Sequence, residues 1–119
     1  MTTAYSTQGG EAFNTQDAKL VSWVLAAGES GDPFVMPAYA DRSIQITGTF
    51  GGATVTFEGS NQSADAPTVY ATLTDPQGNN LSFAAAGLKA VSEMTRVARP
   101  QVTGGDGTTA LTCLLFVKR

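Results

Sequence analysis

Histidine is absent from this chain, and cysteine occurs once. The first absence removes the usual general base at neutral pH and the commonest transition-metal ligand. No Ser-His-Asp or Cys-His site can be assembled within one such chain. The single Cys113 can form no internal disulfide, so a reducing compartment is expected. It lies in the apolar run 111–117 and reads as a small buried hydrophobe. Charge is scarce too: Asp, Glu, Lys and Arg make up 14% of 119 residues, against about 25% in an average protein. The surface must therefore be built largely from Thr, Ser, Gln, Asn, Ala and Gly. Such a surface is poorly defended against association and suits a protein packed against neighbours, although a Thr-rich β-surface also fits.

The formal net charge is −3, and no basic run or aromatic-basic interleaving occurs, so nucleic acid is not an expected partner. Arg96, Arg99, Lys118 and Arg119 would meet if the two C-terminal strands paired. They would then form either a solvated strand face or a docking patch for an acidic partner. The first residues combine no basic segment with an apolar one, as a secretory leader would. No apolar run is long enough to span a bilayer, and no membrane role is expected. The length fits one domain able to bury a core without staples.

Alternating β-runs dominate what is present. Residues 42–49 and 53–60 are joined by Phe50-Gly51-Gly52 and read as an antiparallel hairpin. Ile44, Ile46, Val55 and Phe57 are available for its buried face. A shorter run, 68–73, extends the hairpin into a meander. Residues 19–27 read as strand or short helix, with Val21, Trp23 and Val24 favouring the strand. Residues 84–91 read as a brief helix or crossover, and 95–103 as a strand with Pro100 at an edge or bulge. Gly104-Gly105-Asp106-Gly107 signals a hairpin into the last strand, 110–118, which should be central and covered on both faces. Residues 1–16 are polar, small and aperiodic, and read as a flexible arm that orders only against another subunit. The expected product is an all-β protein: residues 17–119 as a single antiparallel β-sandwich of seven or eight short strands, immunoglobulin-like or jelly-roll.

Little in the sequence carries chemistry. Most of the ten carboxylates sit in turns beside Gly or Pro, so paired acid-base catalysis is not expected. The 104–107 segment holds one carboxylate, too few for a calcium loop. No P-loop is present. Trp23, Tyr39 and Tyr70 could stack on a sugar if exposed together, but a lone Trp in a small β-domain is more often core. Phe34-Val35-Met36-Pro37-Ala38-Tyr39 is an apolar piece broken by proline. It fits either an exposed contact edge or a plug closing one end of the core.

The segments DRSIQITGTFGGATVTFEGSN, ATLTDPQGNNLSF and MTRVARPQVTGGDGTTALTCLLFVKR together resemble small β-sandwich structural proteins of tailed bacteriophage virions, capsid decoration or cement proteins above all. The resemblance covers Asp41 to Arg119, with Tyr70 where many of those proteins carry Trp. It implies a noncatalytic protein without cofactor or metal, made in the bacterial host cytoplasm and mounted on the outer capsid surface. The implied partners are the major capsid protein and further copies of the chain. Alternatives are a neck, tail or fibre-associated protein, or a carbohydrate-binding adhesion module. The candidate partner contacts are Tyr5 and Phe13 in the arm, Phe34, Val35, Met36, Pro37 and Tyr39 on the broken edge, and the cations Arg96 and Arg99. Deleting the arm is expected to leave a folded sandwich that no longer binds capsids.

Overall fold

The computed structural model describes residues 2–3, 6–7, 18–36, 40–62 and 67–119. In chain order the strands are β1 (Thr2–Thr3), β2 (Ser6–Thr7), β3 (Ala18–Leu25), β4 (Ser30–Gly31), β5 (Phe34–Val35) and β6 (Asp41–Thr49). They continue with β7 (Thr54–Ser60), β8 (Ala71–Thr72), β9 (Ser82–Phe83), β10 (Gly87–Ala90), β11 (Val97–Thr103) and β12 (Ala110–Lys118). One sheet of seven strands runs β1-β4-β11-β7-β8, with β5 also on β11 and β9 also on β7. A second sheet of five runs β10-β6-β12-β3-β2.

The pairing has a nested logic. Strand β3 pairs with β12, β4 and β5 with β11, β6 with β10, and β7 with β8 and β9, all antiparallel. The chain is thus folded back on itself from its middle, and successive nested pairs alternate between the two sheets. That order is a jelly roll, one of the two sandwich types the strand count allowed. Helix is absent from the described residues.

Each long strand sends alternate side chains inward, as a period of two requires. Val21, Trp23, Leu25, Ile44, Ile46, Leu111, Cys113, Leu115 and Val117 come from the five-stranded sheet. Phe34, Val55, Phe57, Phe83, Ala98 and Val102 come from the other sheet and meet them across the core. Trp23 and Phe57 touch edge to face, with ring centroids 6.4 Å apart, and the Trp23 indole donates to the carbonyl of Asp32 at 2.9 Å. Gly31 is required beside this ring, because a Cβ there would lie 2.5 Å from Trp23 Cδ1. Burial pushes the Cys113 thiol up to about 12, as fits a packing residue.

The pairing corrects several expectations. The 42–60 hairpin does not form: β6 and β7 lie in different sheets, and the 50–53 turn carries the chain across the core. That turn is built as the glycines require, with positive φ at Gly51 and Gly52 and a bond from the Ala53 amide to the Phe50 carbonyl. It is pinned from outside by Thr109 Oγ1, which donates to the same carbonyl. Likewise β11 and β12 do not form a hairpin through 104–107, because they too belong to opposite sheets. Residues 87–90 are strand β10, not helix or crossover. Strand β12 is central, between β6 and β3, yet it is covered on one face only, with Phe116 exposed on the other. Within the arm, Thr2–Thr3 adds to β4 in parallel and Ser6–Thr7 adds to β3.

Candidate functional site

The interior of the sandwich is filled by side chains, so the groups able to meet a partner lie on its outer surfaces. On the outside of the seven-stranded sheet, Arg99 Nε donates to Glu58 Oε1 at 2.9 Å across the β11–β7 ladder. The Tyr70 ring stacks on the Arg99 guanidinium, 3.8 Å from ring centroid to Cζ. Burial pushes the Tyr70 hydroxyl above its usual range, with Arg99 pulling the other way. Beside this stack lies an open groove of about 660 Å³ lined by residues 59–62 and 69–73 with Glu93 and Thr95.

The groups of that groove with chemistry to offer are engaged within the chain. Gln62 Oε1 accepts from the amides of Thr68 and Val69, each at 2.7 Å. The Glu93 carboxylate accepts from the Thr74 hydroxyl and amide, bonds that hold its pKa below the usual carboxylate range. Asn61 Oδ1 accepts from the Arg96 amide at 2.9 Å. Just beyond, Asp75 holds its own turn by accepting from the amides of Gln77 and Asn79. Its carboxylate also lies 3.9 Å from Lys89 Nζ. Arg42, buried in β6, donates to the carbonyls of Ala40, Val91, Ser92 and Glu93 and so ties the 91–93 segment to the five-stranded sheet. Asp106 organises the 106–109 turn by accepting from Thr108, which draws its carboxyl below the usual range. No cluster of three or more Cys, Asp or Glu able to hold a metal occurs among the described residues.

The outer face of the five-stranded sheet is different. Its register gives three cross-strand rows: Thr47, Thr112 and Val24; Leu88, Gln45, Leu114 and Ser22; Ala90, Ser43, Phe116 and Leu20. None of these residues is charged, and all but the buried Ser22 are at least partly exposed. Val24 is 63% exposed, Leu88 64% and Phe116 39%. The flanking row supplies the nearest charges, Asp41 paired in register with Lys118. A concavity of about 170 Å³ lies where the face meets that row, lined by Asp41, Arg42, Ser43, Phe116 and Lys118.

The sequence-derived contact residues fare unevenly. Tyr5, Phe13, Pro37 and Tyr39 lie outside the described residues. Phe34 and Met36 are buried, closing the core as the second reading of that piece had it, and only Val35 of the described trio is exposed. Arg96 is exposed, whereas Arg99 is committed to Glu58 and Tyr70. Neither joins Lys118 and Arg119 in a patch through strand pairing, since β11 and β12 lie in opposite sheets. Trp23 is fully buried and offers no surface for a sugar. The uncharged face was missed, although its signal was present as polar and apolar residues alternating with core residues in 43–47 and 112–116.

Fold and surface together define a jelly-roll β-sandwich with a packed interior. No family model matches the chain, and no curated protein matches it. Among solved structures it is similar to a cupin domain from Bordetella pertussis, at 10% identity over 97% of this chain and 91% of that one, with a TM-score of 0.49. It is also similar to KdgF from Halomonas sp., at 16% identity over 96% and 86% of the two chains and a TM-score of 0.44. A third, a putative sugar phosphate isomerase from Acidithiobacillus ferrooxidans, is 13% identical over 87% of this chain and 51% of its own, with a TM-score of 0.39.

Proposed function

We propose that the chain is a noncatalytic structural protein of a tailed bacteriophage virion, a decoration protein that binds and stabilises the capsid shell. The observation that carries this reading is the uncharged outer face of the five-stranded sheet. A solitary domain gains solubility from charge on such a face, whereas a protein held among neighbours gains contact area by omitting it. The filled core supports the same reading, since a rigid sandwich presents a preformed surface at little entropic cost. The jelly roll itself is neutral, because one fold serves many functions. The resemblance of residues 41–119 to phage decoration proteins supplies the shell as partner.

The test is copy number. Quantitative mass spectrometry of purified virions is expected to find this chain within a few-fold of the major capsid protein. About a dozen copies or fewer per particle would assign it to the neck or tail, and absence from the particle would overturn the reading.

A further inference from the structure

We infer that the outer face of the five-stranded sheet is a self-association surface, joining two copies of this chain face to face about a two-fold axis between β6 and β12. The inference rests on the reading of that face as a contact surface, and it names the occupant.

Three observations select a second copy. The first is charge. Two chains of net charge −3 repel, and the face brings no like charges together when it meets itself. An axis between β6 and β12 also sets Asp41 of one copy against Lys118 of the partner subunit, and Lys118 against Asp41 of the partner subunit. A two-fold contact requires that kind of reciprocity, in which each residue meets the other's counterpart.

The second observation is shape. In the order β10-β6-β12-β3-β2 the same axis sets β6 against β12 and β10 against β3 across the contact. Large side chains then fall opposite small or slender ones. Phe116 meets Ser43 of the partner subunit, and Leu114 meets Gln45 of the partner subunit. The concavity beside Ser43 lies where Phe116 of the partner subunit would enter. Facing sheets interdigitate in this way at a separation of about 10 Å.

The third is area. Strands of four, nine, nine and eight residues, spaced about 4.8 Å apart at roughly 3.4 Å per residue, present about 490 Å² in projection. That is about three-fifths of the ~800 Å² per partner of a standard specific interface.

Sedimentation of the full chain from micromolar to submillimolar concentration is expected to show a species of twice 12.3 kDa. Phe116→Lys should shift it to monomer while far-UV circular dichroism and the unfolding midpoint stay near wild type. Asp41→Lys and Lys118→Asp should each weaken the dimer by about tenfold, and the double reversal should restore it. A wild-type monomer throughout the range would overturn the inference, as would a dimer indifferent to Phe116→Lys or charge variants whose effects simply add. A monomer that loses shell binding on Phe116→Lys would give the face to the capsid, refuting self-association while leaving the functional reading intact. A dimer absent from virions would do the reverse.

Discussion

The two sheets present their outer faces in opposite ways. On the seven-stranded sheet, Glu58 and Arg99 pair across neighbouring strands and Tyr70 covers the guanidinium, so the chain satisfies its own surface. On the five-stranded sheet, the three central rows carry no charge, and Val24, Leu88 and Phe116 stand in solvent. Both inner faces are largely apolar, although Arg42 of β6 is buried as well. The larger difference belongs to what each sheet meets outside.

Removing the large ring on either side compares the two inner faces. Trp23→Ala in β3 and Phe57→Ala in β7 are each expected to cost about 3–5 kcal/mol in denaturant unfolding, since both side chains are fully buried and touch each other. A cost confined to one of them would make the core lopsided and break the comparison at its root.

The engaged face should respond to loss of its ion pair. Arg99→Ala is expected to destabilise by about 1.5 kcal/mol, because it frees the largely buried Glu58 carboxylate and unstacks Tyr70. A value near zero would show that the pair is only decoration of a stable sheet.

Acid separates the sheets further. The carboxyls of Asp75 and Glu93 are held below their usual range, the first chiefly by the Asn79 amide and the second by the Thr74 hydroxyl. Such groups add stability that is present above their unfolded values near 4 and is lost as pH falls through the lower folded values. Below about pH 4, amide protection should therefore decline first at Leu73 and Leu81, which bond around β7, and later at Leu115 in β12. Asp75→Asn keeps an acceptor oxygen and should flatten this dependence. Simultaneous loss at all three amides would count against the distinction.

The smallest effect on stability is expected from adding charge to either outer face. Gln45→Lys and Gln101→Lys should each change stability by no more than about 0.5 kcal/mol. Only the first should weaken self-association, and equal behaviour of the two would erase the contrast.

Much of this architecture was legible from local pattern. Alternation in 42–49 and 53–60 named the strands and their inward residues, 110–118 read as a strand but as one covered on both faces, and the composition of 50–53 and 104–107 marked real turns. Pairing was not legible, because alternation is the same whether Ile44 and Val55 lie side by side in one sheet or face each other across a core. Gly51-Gly52 serves a turn in either case. The candidate face was harder still, since Gln45, Leu114 and Leu88 are distant in sequence and become neighbours only through the β10-β6-β12 ladder.

The sequence by itself determined the all-β class, the long strands, the core parity of β6 and β7 and the scarcity of charge, because each depends on residue type and a period of two. The tertiary structure alone decided that β6 and β7, and β11 and β12, part into opposite sheets. It also decided that Phe34 and Met36 turn inward and that the uncharged positions of four strands gather on one face. Those outcomes depend on contacts between distant segments, where burying two apolar faces against each other outweighs the local preference of a turn.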